Sequence, residues 1–371
     1  MRDIIIVGGG LGGLITAILS HRKGFEVVLI EKKEYPFHRV CGEYISHETL
    51  PFLRKENLLP PNLDLPSIKK FQYSSIKGKS FEMALDLGGF GLSRYTFDQH
   101  LFEIAKAEGV EVWQKQVVSR IDYVNGVFQV ESSNGKQFSG KLVVGAFGKR
   151  SNIDVKLERS HTQKRAPYIG VKYHIKTDFP KDQISLHNFQ NGYCGVSAIE
   201  NDKYNLCYLG SRKDLKKYGS IDSMEQETVQ KNPFLADLFQ NSDFLFDQPE
   251  VINEFSFAPK KLIEEHIFMV GDAAGLITPL CGNGMAMAIH SAKLLSDLIH
   301  QYYQKGDLQR AKLEQAYLQE WNKIFKMRLW VGRKTQSLFG AEFTSELAIG
   351  LMKNIPSFAK TIMKNTHGEP F

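Results

Sequence analysis

The sequence predicts an α/β protein: a parallel-sheet unit, interrupted by an inserted sheet of mixed and antiparallel strands and followed by helices. Three observations carry that expectation. Residues 3–7 form an apolar run leading into positions 8–13, five of them glycine, as where a buried strand turns into a helix. Runs of the same kind return at 142–148 and 265–270, whereas residues 153–257 alternate in the manner of half-buried strands. Beyond Gly284 the apolar positions recur at helical spacing.

The opening unit covers residues 1–31. Gly8, Gly10 and Gly13 stand as G-x-G-x-x-G, with Leu11 inside the motif, and Leu14, Ala17 and Ile18 then follow a helical period. Residues 25–30 form a second apolar strand ending in the acidic Glu31, with Lys32 next to it. The glycines let backbone approach a pyrophosphate, and the helix start offers N–H donors and a partial positive charge. An acid about twenty positions further on accepts hydrogen bonds from a ribose diol. The full order of strand, turn, helix, strand and acid marks a Rossmann-like dinucleotide site. NAD, FAD and a nucleoside cofactor such as S-adenosylmethionine all stay open on these residues.

At 371 residues and 42.1 kDa the chain has room for two or more structural units. Hydrophobic content of 42% and charged content of 24% are those of a globular protein. The start runs straight into a strand, so no secretory leader is expected, and no apolar run approaches the ~18 residues of a membrane span. Cys41, Cys194, Cys207 and Cys281 lack metal or disulfide spacing, which fits a reduced cytoplasmic setting. Net charge is +6, and part of the surplus lies in Lys323, Lys326, Arg328, Arg333, Lys334, Lys353, Lys360 and Lys364. A solvated helical face accounts for these; the other reading is transient contact with an anionic membrane or an acidic carrier protein. No nucleic-acid motif is present.

In chain order, residues 32–46 read as a loop and 47–59 as a helix stopped by Pro60-Pro61. Short strands follow over 69–92, then a helix from Ser93 to about 108, strands at 110–113 and 117–121, and a meander turning at Asn125-Gly126 and Asn134-Gly135. Strands are expected at 169–175, 184–189, 195–199 and 205–209, with a helical insert at 221–240. This divides the chain into a discontinuous nucleotide domain (1–68, 93–152 and 258–300), an inserted substrate-binding sheet domain (69–92 and 153–257) and a C-terminal helical region (301–371). One glycine turn at the start, answered over two hundred residues later by a strand ending in Gly271-Asp272-Ala273-Ala274-Gly275, fits an extended FAD held at both ends.

These motifs together resemble the flavoprotein group of para-hydroxybenzoate hydroxylase, geranylgeranyl reductases and flavin-dependent halogenases, over most of residues 1–300. The Val40-Cys41-Gly42-Glu43 loop, Ser93-Arg94 with Asp98, and Gly271-Asp272 look most like the geranylgeranyl-reductase branch. The resemblance implies FAD, with NAD(P)H or a reductase partner as electron donor. It places Gly8, Gly10 and Gly13 at the pyrophosphate, Glu31 at the adenosine ribose, Val118 in backbone contact with adenine, and Arg94 beside the cofactor. Asp272 matches the acid at the ribityl or pyrophosphate part, though it would also serve as a helix N-cap. Gly282, Asn283, Gly284 and Met285 match the helix start under the flavin pyrimidine, where N–H groups would stabilise charge on the reduced ring.

Two departures bear on the chemistry. Phe147 stands where the hydroxylases carry an acid tied to FAD and NADPH binding, and Gly195 stands where the reductases carry a tryptophan. The absence of W-x-W argues against a halogenase. Candidate catalytic residues are Cys41, whose thiol would orient or donate a proton; Glu43, a general acid or a loop-ordering group; and Tyr193, a substrate-side wall. Cys281 lies in the other flavin loop, and His174 and His187 read as structural. The reading leans to hydroxylation of a hydrophobic small molecule, phenolic or polyketide-like. The alternatives are reduction of a carbon–carbon double bond and, from another class, an electron-relay flavoprotein without its own substrate.

Overall fold

The computed structural model describes residues 1–162, 167–253, 256–304, 306–336, 345–346, 349–350 and 365–371. The rest of the expected C-terminal helical region, including Lys353, Lys360 and Lys364, lies outside the described residues. The chain enters through β1 (Arg2–Val7), α1 (Leu11–Arg22) and β2 (Val27–Ile30), then β3 (Tyr44–Ser46) and α2 (Leu50–Lys55). Next come β4 (Ser67–Ser74), β5 (Ser80–Gly91), α3 (Arg94–Ala107), β6 (Glu111–Trp113), β7 (Val118–Val124), β8 (Val127–Ser132), β9 (Gln137–Gly145) and α4 (Asn152–Lys156). The insertion supplies β10 (Tyr168–Lys176), β11 (Gln183–Phe189), β12 (Gly192–Ile199), β13 (Lys203–Ser211), α5 (Arg212–Tyr218), α6 (Ile221–Glu227), α7 (Pro233–Asn241), β14 (Asp243–Phe244) and β15 (Glu250–Asn253). The chain returns through β16 (Ile263–Glu264), β17 (Ile267–Met269), α8 (Gly284–Tyr302) and α9 (Arg310–Gln336).

Two large sheets result. The first runs β16-β17-β9-β1-β2-β6, with the β7–β8 hairpin attached to β9. Its central pairings, β1 with β2, β1 with β9, β2 with β6 and β9 with β17, are parallel. Ile4, Ile5, Ile6 and Val28 are fully buried there: α1 packs on β1 and β2, and α8 packs in turn on α1. The second runs β14-β10-β13-β12-β11-β4-β5-β3, with β15 on β10. It is antiparallel except where β11 meets β4. The Rossmann-like α/β class with an inserted mixed sheet is therefore the architecture observed.

Local expectations differ in three places. The loop read over 32–46 ends in β3, which pairs with β5 through Tyr44 and Gly91. Three buried residues are too few to show a period, so only the partner strand reveals it. The helix read over 47–59 shrinks to a 3₁₀ turn, His47–Thr49, and α2, because Asn57 takes a φ of +52° that breaks the helix. The strand read over 265–270 starts only at Ile267, since Glu265 and His266 both hold positive φ in the β16–β17 turn. Among the described residues no helix is long and apolar enough to cross a membrane.

Candidate active site

β1 delivers the chain to Gly8, whose φ of +107° suits glycine alone. A Cβ there would stand 2.4 Å from the Ala146 carbonyl oxygen, and one on Gly13 would stand 1.9 Å from that of Gly8. The turn is thus wedged between the ends of β1 and β9 and the first turn of α1. That helix starts at Gly10 as N-cap, with no side-chain cap and no acid in its first turn. Its leading N–H groups and dipole form an open anion site. Leu11, almost wholly buried, anchors the turn to the core.

Glu31 is buried at the end of β2 and accepts from Gly9 N at 2.7 Å, Lys33 N at 2.9 Å and Arg39 Nη2 at 3.3 Å. A carboxylate offers about four acceptor positions, so one stays open to a hydroxyl. The same acid therefore also shapes the glycine turn. Tyr35 braces the turn from below by donating to Gly9 O; nothing in the sequence marked it. Lys32 is exposed. Val118 is buried at the start of β7, close to where Gln116 N donates to Glu31 O.

Ser93 caps α3 by accepting from Thr96 N, which sets Arg94 at the first helical position. Arg94 forms a bidentate pair with Asp98 one turn on, both bonds 2.7 Å, and Asp98 also accepts from Arg39 Nε at 3.0 Å. The guanidinium lies against the glycine turn: a Cβ on Gly10 would meet Arg94 Nη2 at 3.3 Å. Burial opposes its charge, but Asp98 more than offsets this and holds it above the ordinary arginine range, with Cys41 and Asp272 adding to the field. The residues expected at the two ends of the cofactor thus converge on one cation.

Asp272 sits in the 3₁₀ turn Gly271–Ala273 after β17. It does not cap a helix, because the cap of that turn is Val270 and no α-helix follows until α8. The turn is held by its backbone: Gly271 N donates to Ser291 Oγ at 3.0 Å, and Lys260 Nζ donates to Asp272 O at 2.8 Å and Lys149 O at 3.0 Å. Burial pushes the Lys260 ammonium down to about 8. No hydrogen bond engages the Asp272 carboxylate among the described residues, which leaves it open to a ligand. Gly282, in the left-handed region at φ +62°, then reverses the chain into α8, which starts at Gly284 and Met285. α8 also begins without a side-chain cap or a first-turn acid. Both α1 and α8 thus start without a side-chain cap.

The Cys41 loop is held from outside. Arg39 O accepts from Lys172 Nζ at 3.2 Å, Val40 O from Lys149 Nζ at 2.8 Å, and Cys41 O from Asn205 Nδ2 at 3.1 Å. A Cβ on Gly42 would meet nothing within 4 Å, so the loop faces open space there. Glu43, at φ +52° and fully buried, accepts from Lys172 Nζ at 2.5 Å, Arg94 N at 2.8 Å and His174 Nε2 at 2.7 Å. Burial favours the neutral acid, but Lys172 and His174 outweigh it and hold Glu43 down to about 2. Enclosed and ionised, Glu43 has the geometry of loop ordering rather than of proton donation.

Tyr193 is buried, accepts from Leu280 N at 2.9 Å and reaches Gln336 Oε1 at 3.5 Å; burial pushes its phenol well up. Cys281 is buried beside Thr278 Oγ at 3.4 Å, and burial raises its thiol to about 11. Cys41 is half-buried, between the Arg94 cation and Cys207 in the electrostatics of the site. His187 bonds Ser74 and is structural, whereas His174 belongs to the Glu43 cluster. Besides Tyr35, the residues missed in the sequence are, in order of weight, Lys172, Asn205, Lys149 and Lys260. For the first there was a signal: Lys172 and His174 alternate with apolar Val171, Tyr173 and Ile175 on one strand, so they share the face opposite the apolar core.

Residues 1–320 match the FAD binding domain family, and the chain belongs to it. It is 26% identical over 339 residues to the digeranylgeranylglycerophospholipid reductase of Methanosarcina acetivorans, covering 86% of this chain and 80% of that protein. Its fold is shared with a flavin-dependent brominase (TM-score 0.77, 18% identity, 97% of this chain and 92% of the other). It is shared equally with a geranylgeranyl bacteriochlorophyll reductase-like protein of Thermoplasma acidophilum (TM-score 0.75, 18% identity, 98% and 96%). The chain is an FAD-dependent oxidoreductase of the hydroxylase and geranylgeranyl-reductase superfamily.

Proposed function

We propose that this chain is an FAD-dependent monooxygenase that hydroxylates a hydrophobic small molecule of phenolic or polyketide type, with NAD(P)H or a reductase partner as donor. The residues fit the cofactor: α1's open N-terminus for the pyrophosphate, Glu31 for the ribose, Val118 for the adenine side, Arg94 and Asp272 for the middle, and α8's N-terminus for the flavin pyrimidine. Bound FAD supplies the redox chemistry, taking two electrons from the donor and passing them on.

The observation that carries the reaction type is the state of the two acids. Saturating a double bond needs a proton delivered to substrate carbon, yet Glu43 is locked as an anion, and the buried Tyr193 hydroxyl, which accepts from Leu280 N, directs its own proton to Gln336 Oε1. Hydroxylation has no such requirement. The substrate wall is apolar: Tyr73, Leu186, Tyr193, Leu209 and Leu276 form one cluster. Gly195 packs within that wall, where a Cβ on it would make ordinary contacts with Leu186 Cδ2 at 3.4 Å and Cys207 O at 3.7 Å.

One observation favours the second reading, double-bond reduction. The half-buried Cys41, within the field of the Arg94 cation, would be the group to bring a proton where the two enclosed acids do not, and the name of the archaeal relative agrees. The test is to incubate FAD-loaded protein and a reducing system with alkylphenols or prenyl lipids under labelled oxygen. A product that gains one oxygen atom from O₂ supports the monooxygenase. A product that gains two hydrogens without oxygen uptake overturns it in favour of the reductase, and donor oxidation without product points to electron relay.

A partner follows from α9. Lys323, Lys326, Met327, Trp330 and Lys334 share one exposed face, with Met327 60% and Trp330 52% exposed. We propose that this face contacts an anionic lipid surface, each lysine contributing about 1 kcal/mol there. Reversing Lys323, Lys326 and Lys334 to Glu is expected to abolish co-sedimentation with phosphatidylglycerol vesicles. Unchanged binding, or equal binding to neutral vesicles, would refute the contact.

A further inference from the structure

We infer that Lys172, His174 and Asn205, on one face of the second sheet, are positioning residues for the cofactor-facing loop, acting through Glu43 and the Arg39 and Cys41 carbonyls. This rests on the reading of the site as an FAD site. The sheet's own register places the three together: His174 lies opposite Asn205 and Lys172 opposite Cys207 across β10 and β13. All are buried, Lys172 and Glu43 completely.

Stability alone does not account for them. A buried ion pair is on average no better than apolar residues of equal volume, so its contribution is sought in orientation. Here the orientation is explicit. With Lys149 holding Val40 O, the three successive carbonyls at 39, 40 and 41 are all engaged by side chains from other segments. Glu43 adds a fourth tie, and its carboxylate reaches two elements at once: β10 through Lys172 and His174, and the first residue of α3 through Arg94 N. The Arg94 guanidinium in turn abuts the glycine turn. One enclosed carboxylate thus fixes the Cys41–Gly42 loop relative both to the substrate-side sheet and to the phosphate end. The same sheet face continues along β13 and β12 from Cys207 to Leu209 and Tyr193, the apolar wall. The residues that place the loop and those that line the substrate side therefore share one rigid surface.

The test compares Asn205→Ala and the paired change Lys172→Met with Glu43→Gln, which removes both charges together, against native protein reconstituted with FAD. FAD affinity is expected to stay within a few-fold, because neither open helix N-terminus is touched. The visible circular dichroism of the bound flavin is expected to change, and kcat to fall by about 10²-fold with KM for the donor unmoved, since misplacement of about 1 Å costs that much. Lys172→Arg, which restores the cation, is expected to recover the flavin spectrum. Native flavin dichroism and kcat in both variants would overturn the inference, and if the paired variant does not fold, Asn205→Ala decides alone. Failure of the native protein to bind FAD would instead remove the reading on which it rests.

Discussion

Gly13→Ala is expected to yield protein without FAD and with a lower unfolding midpoint. The added methyl would sit 1.9 Å from Gly8 O, a backbone atom, and 3.1 Å from the Ala146 side chain. Neither neighbour is the free end of a flexible side chain, so α1 has to move away from β1, at a cost of about 1–3 kcal/mol by analogy with overpacked cores. Gly10→Ala separates folding from cofactor binding. Its backbone, at φ −85°, accepts alanine, and among the described residues the only neighbour within 4 Å is the end of the Arg94 side chain at 3.3 Å. The apoprotein should therefore unfold at the native midpoint, while the methyl occupies the approach to the helix N-terminus and weakens FAD at least about tenfold, or roughly 1.4 kcal/mol. Titration of both apoproteins with FAD, followed by flavin fluorescence, checks the pair. Native affinity in Gly10→Ala would show that the cofactor does not use this turn.

Arg159→Ala is expected to be the most destabilising single change to a charged residue. Arg159 and Asp154 are both almost wholly buried and pair at 2.7 Å. Asp154 also completes the capping box of α4 with Ser151. Removing the guanidinium strands a buried carboxylate, which costs about 3–5 kcal/mol, and frees Lys261 O and Ala273 O, held at 2.6 and 3.1 Å. Ala273 follows Asp272, so FAD affinity should fall with stability. Arg159→Met combined with Asp154→Asn removes both charges and should recover much of the loss. Urea midpoints for the three proteins measure this. A single variant as stable as the double would mean the ion pair is not what holds the turn.

The parts of the site legible in the sequence were those built from local chain. Gly8, Gly10, Gly13 and Glu31 lie within one βαβ unit, so their spacing along the chain nearly equals their spacing in space. Gly282 and Gly284 mark a reversal into a helix for the same reason, and Arg94 with Asp98 lie one helical turn apart. Glu43 was visible as an acid near a glycine, but its role was not. Whether a carboxylate donates a proton or holds a loop depends on what surrounds it, and Lys172 and His174 are about 130 residues away in sequence. Asp272 shows the same limit: its place after a strand was readable, whereas its freedom from capping follows from a turn secured by Lys260 and Ser291.

The sequence by itself determined the α/β class and marked the two glycine turns proposed to anchor the cofactor, because hydrophobic period and glycine placement act over a few residues. Only the tertiary structure decided the short β3 strand, the ionised state of Glu43 and the three-sided hold on the Cys41 loop. Each of these depends on burial and on charges brought together from separate strands, and the free energy of a buried charge is set by its neighbours in space, not along the chain.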